Sequence, residues 1–87
     1  MSYRKSPDRY LETELHGEVV MMDADKGSFH AMKDTGLVIW NLLDEVDDVD
    51  SLVEELTRRY EVDAAQCRSE VAAFLSRLVA AGFVIES

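Results

Sequence analysis

Between Gly36 and Leu43 the chain reads Gly-Leu-Val-Ile-Trp-Asn-Leu-Leu, and six of the seven residues after the glycine are apolar, Asn41 being the exception. A helix this apolar has almost no polar face to turn to water, so it must be covered on more than one side. That demand places it at the centre of the fold, beneath a sheet and against other helices. Ile39, Trp40 and Leu43 form its main buried stripe, widened by Leu37, Val38 and Leu42. Asp34 or Thr35 stands where a side-chain oxygen can accept from the amides of the opening turn. Immediately before it, Gly27 to Met32 has the period of a strand, so the change from period 2 to 3.6 falls within a few residues.

The residues upstream read as a small antiparallel meander. Leu11 to Leu15 alternates Leu-Glu-Thr-Glu-Leu, the pattern of a half-exposed strand. His16-Gly17 is a turn, and Val19 to Met22 is an apolar run too short for a helix, hence a second strand. Asp23 to Gly27 carries turn chemistry, with Gly27 free to take positive φ. Ser28 to Met32 is the third strand. Residues 1–10 are polar and hold the only proline, Pro7. They read as a flexible N-terminal arm, leaving 11–87 as one domain.

Downstream, an acidic loop leads to Ser51-Leu52-Val53-Glu54, which fits an S-x-x-E capping box. Val49, Leu52, Val53, Leu56 and Tyr60 then share one face of a second helix, and Glu54–Arg58 and Glu55–Arg59 are i, i+4 pairs. Asp63 caps a third helix from Ala64 to Ala81, about 27 Å long at roughly 1.5 Å per residue. Its core seam is Cys67, Val71, Phe74, Leu75 and Leu78. Gly82 suits a left-handed end, with Phe83 folding back on Leu78, and Val84 to Glu86 forms a tail that pairs with the sheet. The class is α+β and winged-helix-turn-helix-like: a three-stranded antiparallel sheet followed by three helices.

One flank of the third helix carries Arg68, Ala72, Leu75 and Val79. Alanine is the best helix former and needs no further reason to be there. Small side chains also let another backbone lie close, with Leu75 and Val79 as apolar contacts and Arg68 as a charged handle. The residues themselves leave both readings open.

Charge and composition exclude several functions. Nine Lys+Arg stand against eighteen Asp+Glu, a net charge of −9. Such a chain repels nucleic acid, whose binding needs a basic footprint, and anionic membrane surfaces. A winged-helix DNA reader would need its third helix in the major groove, and that helix offers mainly alanines with Arg68, Glu70 and Arg77. There is no signal peptide pattern and no apolar run near the roughly 18 residues of a membrane span. A lone cysteine, Cys67, excludes an internal disulfide, as in a reducing cytosol. A cytoplasmic protein is expected.

Catalytic constellations are missing as well. His16, His30 and Cys67 fit no zinc spacing, and Cys67 lies on the core seam, where it acts as a small hydrophobe. No glycine motif cradles phosphate, so neither cofactor nor metal is expected, and the chain reads as a non-enzyme. Asp50-Ser51-Leu52 reproduces the Asp-Ser-Leu around the phosphopantetheine serine of acyl carrier proteins, which are also short and acidic. A carrier protein, however, begins with a helix, and residues 11–32 read as strands.

The order of these signals resembles the PqqD-like family. The resemblance is carried by Val19-Val20-Met21-Met22-Asp23, by Gly27-Ser28-Phe29-His30-Ala31-Met32, and by Gly36, Ile39-Trp40 and Leu43, the family's unbroken Gly-x-x-Ile-Trp-x-x-Leu. It continues through Leu52, Leu56, Tyr60, Val71, Phe74-Leu75, Leu78 and Gly82, so that it covers about Glu18 to Val84. Met32-Lys33 stands in place of the family's Leu-Asn, and His30 in place of its second aromatic residue. The resemblance implies a stand-alone recognition element that binds the leader segment of a ribosomally made precursor peptide by β-augmentation. The implied site is Ser28, Phe29, His30, Ala31 and Met32 on the third strand, faced by Arg68, Ala72, Leu75 and Val79. The implied pathway is lasso peptide biosynthesis, with a separate transglutaminase-like leader peptidase and a cyclase as partners; a pyrroloquinoline quinone peptide chaperone is the alternative within the family.

Overall fold

The computed structural model describes residues 2–87, and its elements follow the expected order with one added strand and a short 3-10 turn at Pro7–Arg9. The meander is formed by β2 (Tyr10–Leu15), β3 (Glu18–Asp23) and β4 (Phe29–Met32), in the order β2-β3-β4 with antiparallel pairing throughout. Three helices follow: α1 (Asp34–Leu42), α2 (Val49–Arg59) and α3 (Ala64–Ala81). The added strand is β1 (Tyr3–Lys5), which pairs antiparallel with β5 (Val84–Glu86) in a second, two-stranded sheet. Residues 3–5 were expected in a loose arm and instead form a strand with Tyr3 buried. The C-terminal tail likewise pairs with β1 rather than with the meander. Ser2 and Ser87 exchange two backbone hydrogen bonds of 3.1 and 2.8 Å, which closes the ladder.

Turn geometry sets the register of the meander. His16 and Gly17 both take positive φ, 51° and 81°, as a two-residue turn matching the strand twist requires. At the β3–β4 turn, the Asp23 carboxylate accepts from the amides of Asp25 (2.8 Å) and Lys26 (2.9 Å). Gly27, at φ 74°, then returns the chain. These two amide donors hold the Asp23 carboxyl below its ordinary pKa.

The inner face of the meander carries Tyr10, Val19, Met21 and Met32 onto α1, where Trp40 is fully buried. Aromatic edges join the meander to α1 and to the end of α3: His30 meets Phe83 at 5.0 Å, Phe83 meets Tyr10 at 5.6 Å, and Tyr10 meets Trp40 at 5.4 Å. Lys5 of β1 caps the column, its ammonium 4.1 Å from the Trp40 ring and 2.9 Å from Asp44. The Trp40 indole N–H donates to Glu12 Oε1 at 2.8 Å, so the buried donor is satisfied. α1 packs against β3 and β4 of the meander, and its Gly36 approaches Phe74 of α3.

Helix ends differ from expectation at two places. The cap of α2 is Asp48, which accepts from Ser51 N at 2.6 Å; Ser51 is therefore inside the helix and the Ser51–Glu54 box does not form. The Asp48 carboxylate, three residues upstream of Ser51 and not singled out from the sequence, takes the capping role. For α1 the N-cap is Lys33, without a side-chain bond, and Asp34 takes positive φ (54°). The third helix ends as expected: Gly82 is left-handed at φ 85°, and Gly82 N–H and Phe83 N–H donate to Val79 and Leu78 carbonyls at 3.0 Å each. Phe83 is thereby folded wholly into the core.

Candidate functional site

The meander has two edges, and they are chemically different. On β2, Glu12 and Glu14 are charged residues of the kind that blunts strand-to-strand pairing. On β4 the sequence is Phe-His-Ala-Met, with no charged side chain, and among the described residues no strand pairs with its outer rim. Phe29 is 70% exposed, opposite Met22 on the face away from the helices. His30 turns inward to Phe83, and Met32 is buried beside Val19. Ser28 precedes the strand, and its carbonyl accepts from Asp23 N–H at 2.8 Å.

Beside the rim of β4 runs a groove of about 490 Å³. Ala31, Met32 and Lys33 form its strand side, Thr35, Gly36 and Ile39 of α1 its floor, and Glu70, Ala73, Phe74 and Arg77 of α3 its far wall. The four α3 residues are spaced i, i+3, i+4, i+7, one helical stripe. Gly36 lets the two helices approach closely here: a Cβ there would sit 3.3 Å from the Phe74 ring, which would have to shift by a few tenths of an ångström to admit it. Arg77 lies over the same ring at 5.7 Å. A second hollow of about 320 Å³, lined by Leu56, Tyr60, Val62 and Cys67 among others, shares Thr35 and Glu70 with the groove and continues it.

This geometry changes which face of α3 meets the third strand of the meander. Leu75 is 0% exposed and belongs to the core, so it cannot serve as a surface contact. Arg68 is ion-paired to Asp50 at the start of α2. Ala72 is exposed but does not line the groove, and Val79 lines a different cleft, with residues 5–9 and Gly82. Ala31 and Met32 are brought to the groove; Arg68, Ala72, Leu75 and Val79 are not. The groove's other lining residues, Lys33, Thr35, Gly36, Ile39, Glu70, Ala73, Phe74 and Arg77, were not among the site residues expected from the sequence. Phe74 was the available signal, because a large aromatic at the margin of an apolar seam can belong to the core or to a neighbouring groove.

Among the described residues, no group of three His, Cys, Asp or Glu side chains is placed to hold a metal ion. Burial, with Glu70 nearby, pushes the Cys67 thiol pKa up, which suppresses the nucleophilic thiolate. Among the described residues, no helix is long and apolar enough to cross a membrane.

Fold and groove together define a winged-helix-like α+β domain whose third meander strand, with no charged side chain, faces a helix across a groove of mixed apolar and charged lining. Residues 18–84 match the family described as Coenzyme PQQ synthesis protein D (PqqD), and the chain belongs to that family. Two solved structures are similar to it. "TbiB1 in Complex with the TbiA(beta) Leader Peptide" aligns with a TM-score of 0.84 and 23% identity, over 97% of this chain and 96% of that one. "Lasso peptide synthetase B1 complexed with the leader peptide" aligns with a TM-score of 0.82 and 24% identity, over 97% and 98%. No curated protein matches the chain.

Proposed function

We propose that this chain is a non-catalytic binding protein that takes up the leader segment of a ribosomally synthesised precursor peptide and presents it to a leader peptidase in lasso peptide biosynthesis. The observation that carries this reading is the unpaired, uncharged rim of β4 lying along a groove walled by α3. An extended peptide added there gains main-chain hydrogen bonds from β4, while alternate side chains enter the groove or face solvent. Membership of the PqqD family supports the reading, and so does the likeness to two structures described as leader-peptide complexes. Phe29, His30, Ala31 and Met32 would contact the peptide backbone, and Met32, Ala73, Phe74 and Arg77 its inward side chains. The peptidase, transglutaminase-like in this reading, and a cyclase acting after it are separate proteins.

Titrating isotopically labelled protein with the leader segment of a precursor peptide encoded beside it tests the proposal. Amide shifts should concentrate at Phe29–Met32 and Glu70–Arg77, with slowed hydrogen exchange along β4. Shifts confined to other surfaces would sink it. The family's description favours one second reading, a chaperone for the precursor peptide of coenzyme PQQ synthesis; tighter binding of that peptide than of a lasso leader would select it. The strand-first architecture argues against a carrier protein using Ser51. Incubation with coenzyme A and a promiscuous phosphopantetheinyl transferase should leave its mass unchanged.

A further inference from the structure

The basic side chains of this acidic protein are unevenly committed. Of its nine, Lys5, Arg9, Arg58, Arg59 and Arg68 are ion-paired within the chain, and among the described residues Arg4, Lys26, Lys33 and Arg77 have no carboxylate within ion-pair distance. Two of these four, Lys33 and Arg77, line the groove beside β4. On a chain of net charge −9, where carboxylates outnumber cations two to one, unpaired cations on both sides of one groove are placed to meet an external anion.

Resting on the peptide-binding reading above, we infer that the segment occupying the groove is acidic, presenting carboxylates to Lys33 and Arg77 and an apolar side chain to Phe74. The guanidinium lies over the Phe74 ring at 5.7 Å, so Arg77 offers one surface that accepts both features: a ring face for the apolar group and a planar donor fork for a carboxylate. Glu70 lines the same groove but is engaged by Gln66 at 3.4 Å, and it sits two turns away, about 10 Å along the helix from Arg77 at 1.5 Å per residue. The Glu70 end therefore repels a carboxylate and the Arg77 end attracts one, which sets a register for the peptide as well as a preference. The −9 charge of the whole domain opposes an acidic ligand, but beyond about 8 Å this repulsion is screened at physiological salt. Charge-assisted contacts at hydrogen-bonding distance are not screened away in the same manner, so the local pair decides.

The test begins with phage-displayed random 12-residue peptides selected against the full chain. Binders are then made as synthetic peptides, acetylated and amidated so that their ends carry no charge, and measured by fluorescence anisotropy with NMR mapping of the site. Selected peptides should share an Asp or Glu at fixed spacing from an apolar residue, and changing that acid to its amide should weaken binding by about tenfold. Lys33→Glu and Arg77→Glu should weaken it at least as much, whereas Arg4→Glu and Lys26→Glu should stay within about twofold, since distant surface charges contribute little. An acid-to-Lys peptide should regain affinity for Arg77→Glu, and Arg77→Gln, which keeps the stem over Phe74, guards against loss of packing as the cause. Peptides that bind along β4 but ignore the acid-to-amide change overturn this inference and leave leader binding standing. If no selected peptide maps to β4, both fail together.

Discussion

At the scale of single residues, two side chains far from the groove govern whether the core is complete. Trp40 is fully buried, and its only indole donor goes to Glu12, on a strand that is otherwise largely exposed. Removing the acceptor leaves a buried N–H unpaired, which costs about 1–3 kcal/mol. Glu12→Ala should therefore lower the unfolding free energy by roughly that amount in urea titrations, while Glu12→Gln, which keeps a carbonyl acceptor, should recover most of it. Asp23 supplies a pH dependence. Its folded pKa is lowered because the amides of Lys26 and Asp25 donate to the ionised form. The stability it adds is present above the ordinary aspartate pKa of about 3.9 and is lost as pH falls through the lower folded value. Asp48, held down by its bonds from Ser51, acts in the same direction. The thermal midpoint should fall steeply on acidification below about pH 4, and Asp23→Asn should flatten part of that fall.

At the scale of elements, adjacent residues of α3 have opposite duties. Leu75 is in the core and Phe74 is half-buried in the groove wall. Leu75→Ala should destabilise by about 2–5 kcal/mol and affect peptide binding only through unfolding. Phe74→Ala should leave the thermal midpoint within a few degrees yet weaken peptide binding by about tenfold, the size of a lost aromatic contact. Equal effects of the two changes on binding by folded protein would contradict this division. The same pair shows what the sequence makes legible. The period of 3.6 places both residues near one seam, and burial of a seam follows from its apolarity. Which flank then meets β4 depends on how α3 is rotated against α1 and α2, and that is set by tertiary packing at Gly36 and Cys67 rather than by any local pattern. The three meander strands, the three helices, the Asp63 cap and the Gly82 end were all readable because each has local chemistry. β1 had none: Ser-Tyr-Arg-Lys-Ser has no alternation to reveal it, and its partner lies more than eighty positions away. The α2 cap was misplaced for a different reason: the S-x-x-E pattern pointed to Ser51, while Asp48 three residues earlier is also a first-turn acceptor and is the one that bonds.

For the molecule as a whole, the two sheets have separate jobs. The meander exposes the β4 edge, and β1–β5 covers the opposite end of the aromatic column with Tyr3 and Lys5. Deleting residues 1–6 removes a buried tyrosine and the cation over Trp40, so a loss of about 3 kcal/mol or more is expected, comparable to emptying an aromatic site in a core. Since none of those residues lines the β4 groove, the shortened chain should bind a peptide with unchanged affinity at temperatures where it remains folded. Calorimetry paired with peptide titration at 10 °C checks both halves of that statement. A large loss of affinity in demonstrably folded protein would show that the two ends of the domain are coupled.

The Ser2–Ser87 ladder closure has a mechanical meaning. Because β1 and β5 run antiparallel with the chain's second and last residues side by side, tension between those residues loads the rungs singly, in the order Tyr3–Glu86, Arg4–Ile85, Lys5–Val84. The domain would open like a zip from that corner. Lys5 would be drawn off Trp40 before any strain reached β4, whereas α3, which leads directly into β5, would be loaded next, so the groove would feel the pull through its helical wall before its strand rim.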